Sequence, residues 1–433
     1  VRQLYSLLFY ALAPLLLVRL LWKSYRTPAY RERIPERFGF YRGNPRKACS
    51  IWIHAVSVGE CEAAFPLIKD LLGRGETSLL VTCTTPTGSA RVHEVLGNRV
   101  EHVYLPYDLP DAVRRFLEHF SPGLALIMET EIWPNLFHAC GVQQIPLAIL
   151  NGRLSEKSAR GYAKLSGLAR VSLSQVTHIA AQTRLDADRY LAIGAIPNRV
   201  SVLGNIKFDI QFDESLRNQS LDLRRSLFPD RPVWVAGSTH PGEEALILDA
   251  LARIQCAVPD ALLVLAPRHP ERSADVRALC EGRGLCVQTR SEARNCDAKT
   301  SIFLIDGIGE LRKFYGAADV AFVGGSLIPH GGQNILEVAA VGIPVIFGPY
   351  MMNFGEISQN LLATSGGVQI DTPDLLAEWI LRFLQEPGLA LDYGQKGQTF
   401  VARNRGALDR VLALIVELQC GVTMSGTGTH GRL

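Results

Sequence analysis

Residues 320–349 read VAFVGGSLIPHGGQNILEVAAVGIPVIFGP. A short apolar run, 320–323, ends in Gly324-Gly325-Ser326. A second glycine pair, Gly331-Gly332, opens a helical stretch near Gln333-Asn334. Gly342 and Pro344 close that stretch and start the next apolar run, 344–347. Strand, glycine loop, helix, strand is one βαβ unit of a parallel sheet. Its loop gathers backbone N–H groups, with Gly332 and Asn334 at the positive end of the helix dipole, a place for a phosphate without a metal. Glu337, one turn into the helix, is placed to accept from ribose hydroxyls.

The same style continues in both directions. Short apolar runs that read as buried strands occur at 232–236, 261–266, 284–288, 302–305 and 367–370, and earlier at 50–56, 78–82, 100–105, 124–128, 146–150, 178–181 and 200–203. Helical stretches lie between most of them. This predicts an α/β fold of two Rossmann-like domains, at 48–210 and 211–405, with a strand-poor linker and helix over 210–231. The apolar helix 407–418 is expected to pack back across the hinge, and 406–433 ends in a frayed tail. Two such domains imply a cleft facing the carboxyl ends of both sheets, where ligands bind.

The 433 residues suffice for two domains. A net charge of +3 gives no basis for nucleic-acid binding. Nine cysteines, none in a C-x-x-C pair, argue against a disulfide framework or a zinc site and for a reducing compartment. The first 47 residues differ from the rest. Residues 4–22, LYSLLFYALAPLLLVRLLW, carry Arg19 as their one charge, which predicts an uncleaved membrane anchor. Pro14 is tolerated in a membrane helix. Over 23–47, eight basic residues face two acidic ones. By the positive-inside rule the body lies on the cytoplasmic side, and the basic stretch is expected to hold anionic lipids of the inner membrane.

Other strand exits carry chemistry. In IWIHAVSVGECEAA, Ser57-Val58-Gly59 forms a tight turn and Glu60 falls on the first helical turn. A carboxylate there is placed to take a proton from an acceptor hydroxyl. Equally, it is an ordinary helix-start glutamate, whose dipole tends to lower its pKa. In LALIMETEIWPNL, Glu129 and Glu131 follow a buried strand, where carboxylates are costly unless they meet a ligand or partner. One orients an acceptor or a basic group; the other caps the helix near Pro134. In VAGSTHPGEE, Ser238 and Thr239 stand at a helix start, an anion site or plain capping. In LLVLAPRHPER, Arg268 and His269 leave a strand where a guanidinium pairs well with a phosphate.

Two patterns are set aside. GTGTHG at 426–431 lacks a preceding strand and a following helix. Asp186 and Asp188 form a D-x-D on a polar helical stretch, read as a solvated face.

Together, the anchor, HAVSVGE, ETEIWPN, NGRLSEKS, GNIKFD, AGSTHPGEE, APRHPER and GGQNILEVAAVGIPV resemble the bacterial 3-deoxy-D-manno-octulosonic acid (Kdo) transferase family of lipid A assembly. The resemblance implies a GT-B fold, CMP-Kdo as donor and a lipid A precursor as acceptor. It also implies an inverting transfer at the inner membrane's cytoplasmic face, with no cofactor and no metal. Its general base falls on Glu60 and its second essential acid on Glu129. Donor contacts fall on Arg268 and His269, on Gly307, Gly309 and Glu310 of the turn 306–311, and on the helix from Asn334 to Glu337. The acceptor side comprises Ser57, Gly59 and Glu131, with Asn353 and Glu356 of the loop after Pro349. The family pattern places histidine where this chain has Gln333 and proline where it has Val338. Two rivals are a nucleotide-sugar epimerase of the same fold and an inert membrane scaffold. The anchor speaks against the first and the intact Glu60, Arg268 and Glu337 against the second.

Overall fold

The computed structural model describes residues 1–41, 48–210, 212–292 and 296–426. Arg42, Arg46 and Lys47 of the basic stretch and most of the GTGTHG tail lie outside them. The chain divides into two compact units, Val1–Asp209 with Arg405–Leu433, and Ile210–Asn404.

The first unit holds seven strands: β1 Ile51–His54, β2 Leu79–Cys83, β3 Glu101–Tyr104, β4 Leu124–Met128, β5 Leu147–Gly152, β6 His178–Ala181 and β7 Val200–Val202. They form one parallel sheet in the order β3-β2-β1-β4-β5-β6-β7. β1, β2 and β4 are buried along their whole length, as strands covered on both faces must be. That is why they read as unbroken apolar runs. The order reverses between β1 and β4, and a doubly wound sheet takes its ligands at that switch point. Glu60 follows β1; Glu129 and Glu131 follow β4.

The second unit repeats the plan with β8 Val233–Thr239, β9 Leu262–Pro267, β10 Val287–Thr289, β11 Ile302–Leu304, β12 Val320–Val323, β13 Val345–Phe347 and β14 Gly367–Gln369. The sheet is again parallel, in the order β10-β11-β9-β8-β12-β13-β14. Its switch point lies between β8 and β12, the strands that lead into Ser238-Thr239-His240 and Gly324-Gly325-Ser326. Glycine is required there by close approach. A Cβ on Gly348, after β13, would stand 2.1 Å from the Ser326 carbonyl oxygen.

The helix Ala407–Gly426 belongs to the first unit. Asp209 caps its start, accepting from the Gly406 amide at 2.5 Å and the Leu408 amide at 2.7 Å. Val411, Leu412 and Ile415 are buried in the same core as Cys61, Ala64 and Ile68. The D-x-D reading needs correction. Asp186 is buried and accepts from the Leu154 amide at 2.9 Å and the Thr183 hydroxyl at 2.6 Å, while Asp188 is paired with Arg184. Asp186 is a tie for the loop after β5 and not part of a solvated face.

Candidate active site

The turn after β1 feeds the helix Val58–Gly73 with Ser57 as N-cap. Glu60 sits at the third helical position and folds back. Its Oε2 accepts from the Val56 amide at 2.7 Å, and Oε1 meets the Ser57 hydroxyl at 3.4 Å. This resembles a capping box that grips the residue before the cap. The helix-dipole expectation of a lowered pKa does not hold. Burial and the adjacent Glu129 carboxylate push Glu60 up to about 8, with Glu131 adding to the rise and the Val56 amide and Lys207 opposing it. Burial also raises Glu131.

Glu129 adopts a left-handed backbone, φ 57°. That conformation is costly for a residue with a side chain and survives only when its surroundings hold it. Three bonds do so. Its amide donates to Leu150 O at 2.9 Å, its carbonyl accepts from the Tyr190 hydroxyl at 3.0 Å, and its carboxylate takes Lys207 Nζ at 3.1 Å. The Lys207–Glu129 pair is largely buried, with side chains 13% and 14% exposed. Lys207 arrives from the turn Ile206–Phe208, which the Asn151 side chain ties to β5 through the Ile206 amide at 3.0 Å. The first unit therefore gathers three carboxylates and one ammonium at the β1/β4 switch point. His54 in β1 is buried, bonded to Thr82 and pushed down by burial to about 3, hence neutral. Gly59 lies in the same turn, with no atom crowding its Cα beyond the Ser57 hydroxyl.

In the second unit the helix Glu243–Ala257 begins after the left-handed Gly242. Its first two residues are glutamates, and both are buried. Glu243 Oε2 accepts from the Gly325 amide at 2.7 Å and the His240 amide at 3.3 Å; Oε1 accepts from the Ser326 amide at 3.1 Å and the Leu327 amide at 3.0 Å. Four N–H donors on one carboxylate shape the glycine loop after β12. They also mean that the amides of Gly325, Ser326 and Leu327 are engaged within the protein and are not turned toward a phosphate. Glu244 accepts from the Thr239 hydroxyl at 3.1 Å and Arg272 at 2.8 Å. Ser238 stands beside them, left-handed at φ 57°.

Around this frame lies a basic cluster. The His240 ring stacks on His330, centroids 4.4 Å apart, and meets His269 edge-on at 6.1 Å. Burial together with His330, His269, Arg268 and Arg272 pushes His240 down to about 4. Gln333 Nε2 lies 3.1 Å from His240 Nε2. Arg268 is held alongside through its amide, which donates to Thr239 O at 2.9 Å. Asn353 closes the glycine pair, its amide donating to Gly331 O at 2.9 Å and its side chain to Gly332 O at 3.3 Å. Asn334 Oδ1 accepts from the Leu336 amide at 3.1 Å, just before the short helix Leu336–Val341. Glu337 pairs with Arg312 at 3.0 Å and Glu310 with Arg290 at 3.2 Å. Gly307 and Gly309 have open space beside them. Glu356 starts the helix Gly355–Ala363.

Sequence reading missed Lys207, Glu243, Glu244, Arg272 and His330. Two adjacent glutamates at a helix start after Pro-Gly were a usable signal, since one carboxylate suffices for capping. No local pattern pointed to Lys207 or His330. Among the described residues no cluster of three or more His, Cys, Asp or Glu has a metal-holding arrangement.

A family profile described as 3-deoxy-D-manno-octulosonic-acid transferase (kdotransferase) matches residues 32–210. A 3-deoxy-D-manno-octulosonic acid transferase of Haemophilus influenzae is 39% identical over 420 residues, covering 96% of this chain and 98% of that one. Another, from Bordetella pertussis, is 34% identical, covering 95% and 98%. Among solved structures, a UDP-GlcNAc 2-epimerase from Neisseria meningitidis superposes with a TM-score of 0.53 at 14% identity, covering 85% of this chain and 100% of that one. At that identity the likeness speaks for the fold alone, since one fold hosts several chemistries.

Proposed function

Since the chain belongs to the 3-deoxy-D-manno-octulosonic acid transferase family and is a glycosyltransferase of GT-B fold, we propose that it moves Kdo from CMP-Kdo to a lipid A precursor with inversion, at the cytoplasmic face of the inner membrane. The observation that carries this reading is the group at the β1/β4 switch point, Glu60 with Glu129, Glu131 and Lys207.

A base for a sugar hydroxyl works best with a pKa near the working pH, and Glu60 at about 8 meets that condition. In the proposed step Glu60 takes the hydroxyl proton of the acceptor glucosamine. The oxygen forms a bond to the anomeric carbon of Kdo, the bond from that carbon to the phosphate oxygen breaks, and CMP departs with the electron pair. Arg268 supplies positive charge to the departing phosphate and the Kdo carboxylate, and the ring nitrogens of His240, His269 and His330 offer hydrogen bonds beside it. Ser238, Thr239, Gly332, Asn334 and Glu337 shape the donor side, and Gly307, Gly309 and Glu310 border it. Ser57, Gly59, Glu131, Asn353 and Glu356 serve the acceptor. No metal or other cofactor is invoked.

Lys207 favours the ionised form of Glu60, so removing its ammonium lets Glu60 keep its proton to higher pH. With a base of pKa near 8, kcat/KM rises with pH on the acid side, about tenfold per unit. Lys207→Met is expected to move the midpoint of that rising limb upward, with the largest rate loss near pH 7. A pH–rate profile checks this, and an unmoved limb would show that Lys207 does not tune the base.

The reading itself is tested by offering the membrane-bound protein CMP-Kdo or UDP-N-acetylglucosamine and following both nucleotide release and the identity of the remaining sugar nucleotide, with and without acceptor. Acceptor-dependent CMP release is expected. Acceptor-independent turnover of the UDP-sugar would favour the epimerase reading instead.

A further inference from the structure

Resting on the membrane reading above, we infer that the N-terminal helix lies in the plane of the leaflet and does not cross it. The helix Arg2–Arg26 has 25 residues and is therefore about 37 Å long. By length and composition it is able to span a bilayer. Its contacts within the first unit decide otherwise.

Both ends are fastened to the same body. At the start, Arg2 Nη1 donates to Asn135 Oδ1 at 3.1 Å and the Ser6 hydroxyl donates to the same oxygen at 2.8 Å. One turn on, the Tyr10 hydroxyl donates to Asp111 at 2.6 Å. At the far end Leu20 and Ser24 are 4% and 2% exposed, and Arg31 donates to the Ser24 hydroxyl at 2.9 Å. The segment that follows is clamped to the sheet. Arg33 donates to His102 O at 2.7 Å, the Tyr104 amide to Glu36 at 2.9 Å, and Arg37 to Thr84 O at 2.9 Å. Arg33 and Arg37, expected from sequence to meet lipid headgroups, are thus turned into the protein.

A spanning helix carries its two ends to opposite sides of roughly 30 Å of hydrocarbon. Arg2 would take Asn135 with it. Asn135 is 2% exposed in the first turn of the helix Pro134–Val142, and its amide and that of Leu136 donate to the buried Asp108. Crossing would pull this part of the fold, four residues from Glu131, into lipid.

The opposite face is an unbroken apolar stripe. Leu4, Leu8, Leu15, Val18, Trp22 and Tyr25 follow helical spacing and are 56–85% exposed. Arg2, Ser6 and Ser24 face protein where the polar side of a free amphipathic helix would face water, which is why hydropathy alone reads a span. The occupant that fits is the headgroup–acyl boundary of a leaflet containing anionic phospholipid. Trp22 and Tyr25 suit that depth, and Arg19, exposed on the same helix, offers a positive charge to the headgroups. An acceptor whose acyl chains stay in the leaflet then presents its headgroup beside the Glu131 loop.

The test uses full-length Gln3→Cys and Glu32→Cys variants in inside-out and right-side-out membrane vesicles. A membrane-impermeant maleimide is added and labelling of the two positions is read by peptide mass spectrometry, with detergent-solubilised protein as the reference. Both positions are expected to label from the cytoplasmic face and neither from the other. Gln3→Cys unreactive from the cytoplasmic face, or reactive only from the opposite one, overturns the in-plane helix and leaves membrane attachment standing. Protein missing from the washed membrane pellet would sink the membrane reading itself, and this inference with it.

Discussion

Glu60→Gln is expected to transfer Kdo about 10²–10⁴ times more slowly than the parent protein while binding CMP with unchanged affinity. The side-chain amide keeps the shape and can still accept from the Val56 amide, the 2.7 Å bond that holds the turn after β1. What it cannot do is take a proton. A loss confined to kcat, with CMP affinity intact, separates a lost base from a broken site. The same change should not destabilise the fold at neutral pH. A carboxyl raised from 4.5 to about 8 on folding adds stability below pH 4.5 that is lost as pH rises through 8. Glutamine stays neutral throughout and escapes that loss. Melting curves at pH 8–9 should therefore show Glu60→Gln at or above the parent. A fall in CMP affinity would mean that the two units do not divide the work as proposed.

Glu243→Gln carries the second large effect, in the other unit. All four hydrogen bonds to Glu243 come from backbone N–H groups, of His240, Gly325, Ser326 and Leu327. Glutamine offers one oxygen and one NH₂, so two amides would face a donor. Each buried amide left unsatisfied costs about 1–3 kcal/mol, for a total of about 2–6 kcal/mol. A melting temperature lower by roughly 10 °C is expected for the Ile210–Asn404 unit. CMP binding should weaken more than tenfold even where the protein stays folded, because the loop after β12 and the His240 backbone lose their common template. Calorimetric melting and CMP titration together check this. Unchanged melting with unchanged CMP affinity would show that Glu243 does not organise the loop.

Much of the fold was legible in the sequence. All fourteen expected strands occur, most displaced by one to three residues at an end. Buried parallel strands carry apolar residues on both faces, so 124–128 and 320–323 stood out as uninterrupted runs. Motifs at the strand exits could likewise be found, because glycine and carboxylate there have few other reasons to occur together.

What escaped depends on contacts far apart in sequence. Glu243 reaches residues more than eighty positions away, and Lys207 reaches Glu129 across 78. Periodicity holds no record of such pairs. Glu60 was misjudged electrostatically for the same reason: the helix dipole is local and visible, whereas Glu129 comes from another strand. Asp186 looked solvated because its helix is polar, yet it faces the loop after β5. The apolar run 4–22 made the N-terminal helix legible, but composition does not say which face of it the protein covers.

The most direct measurement is the mass of the acceptor after incubation of the purified full-length chain with CMP-Kdo and a phosphorylated, acylated glucosamine disaccharide. The account predicts products heavier by whole Kdo increments from the parent protein and almost none from Glu60→Gln, both proteins binding CMP alike. Unmodified acceptor from a parent protein that still binds CMP would contradict the proposed transfer.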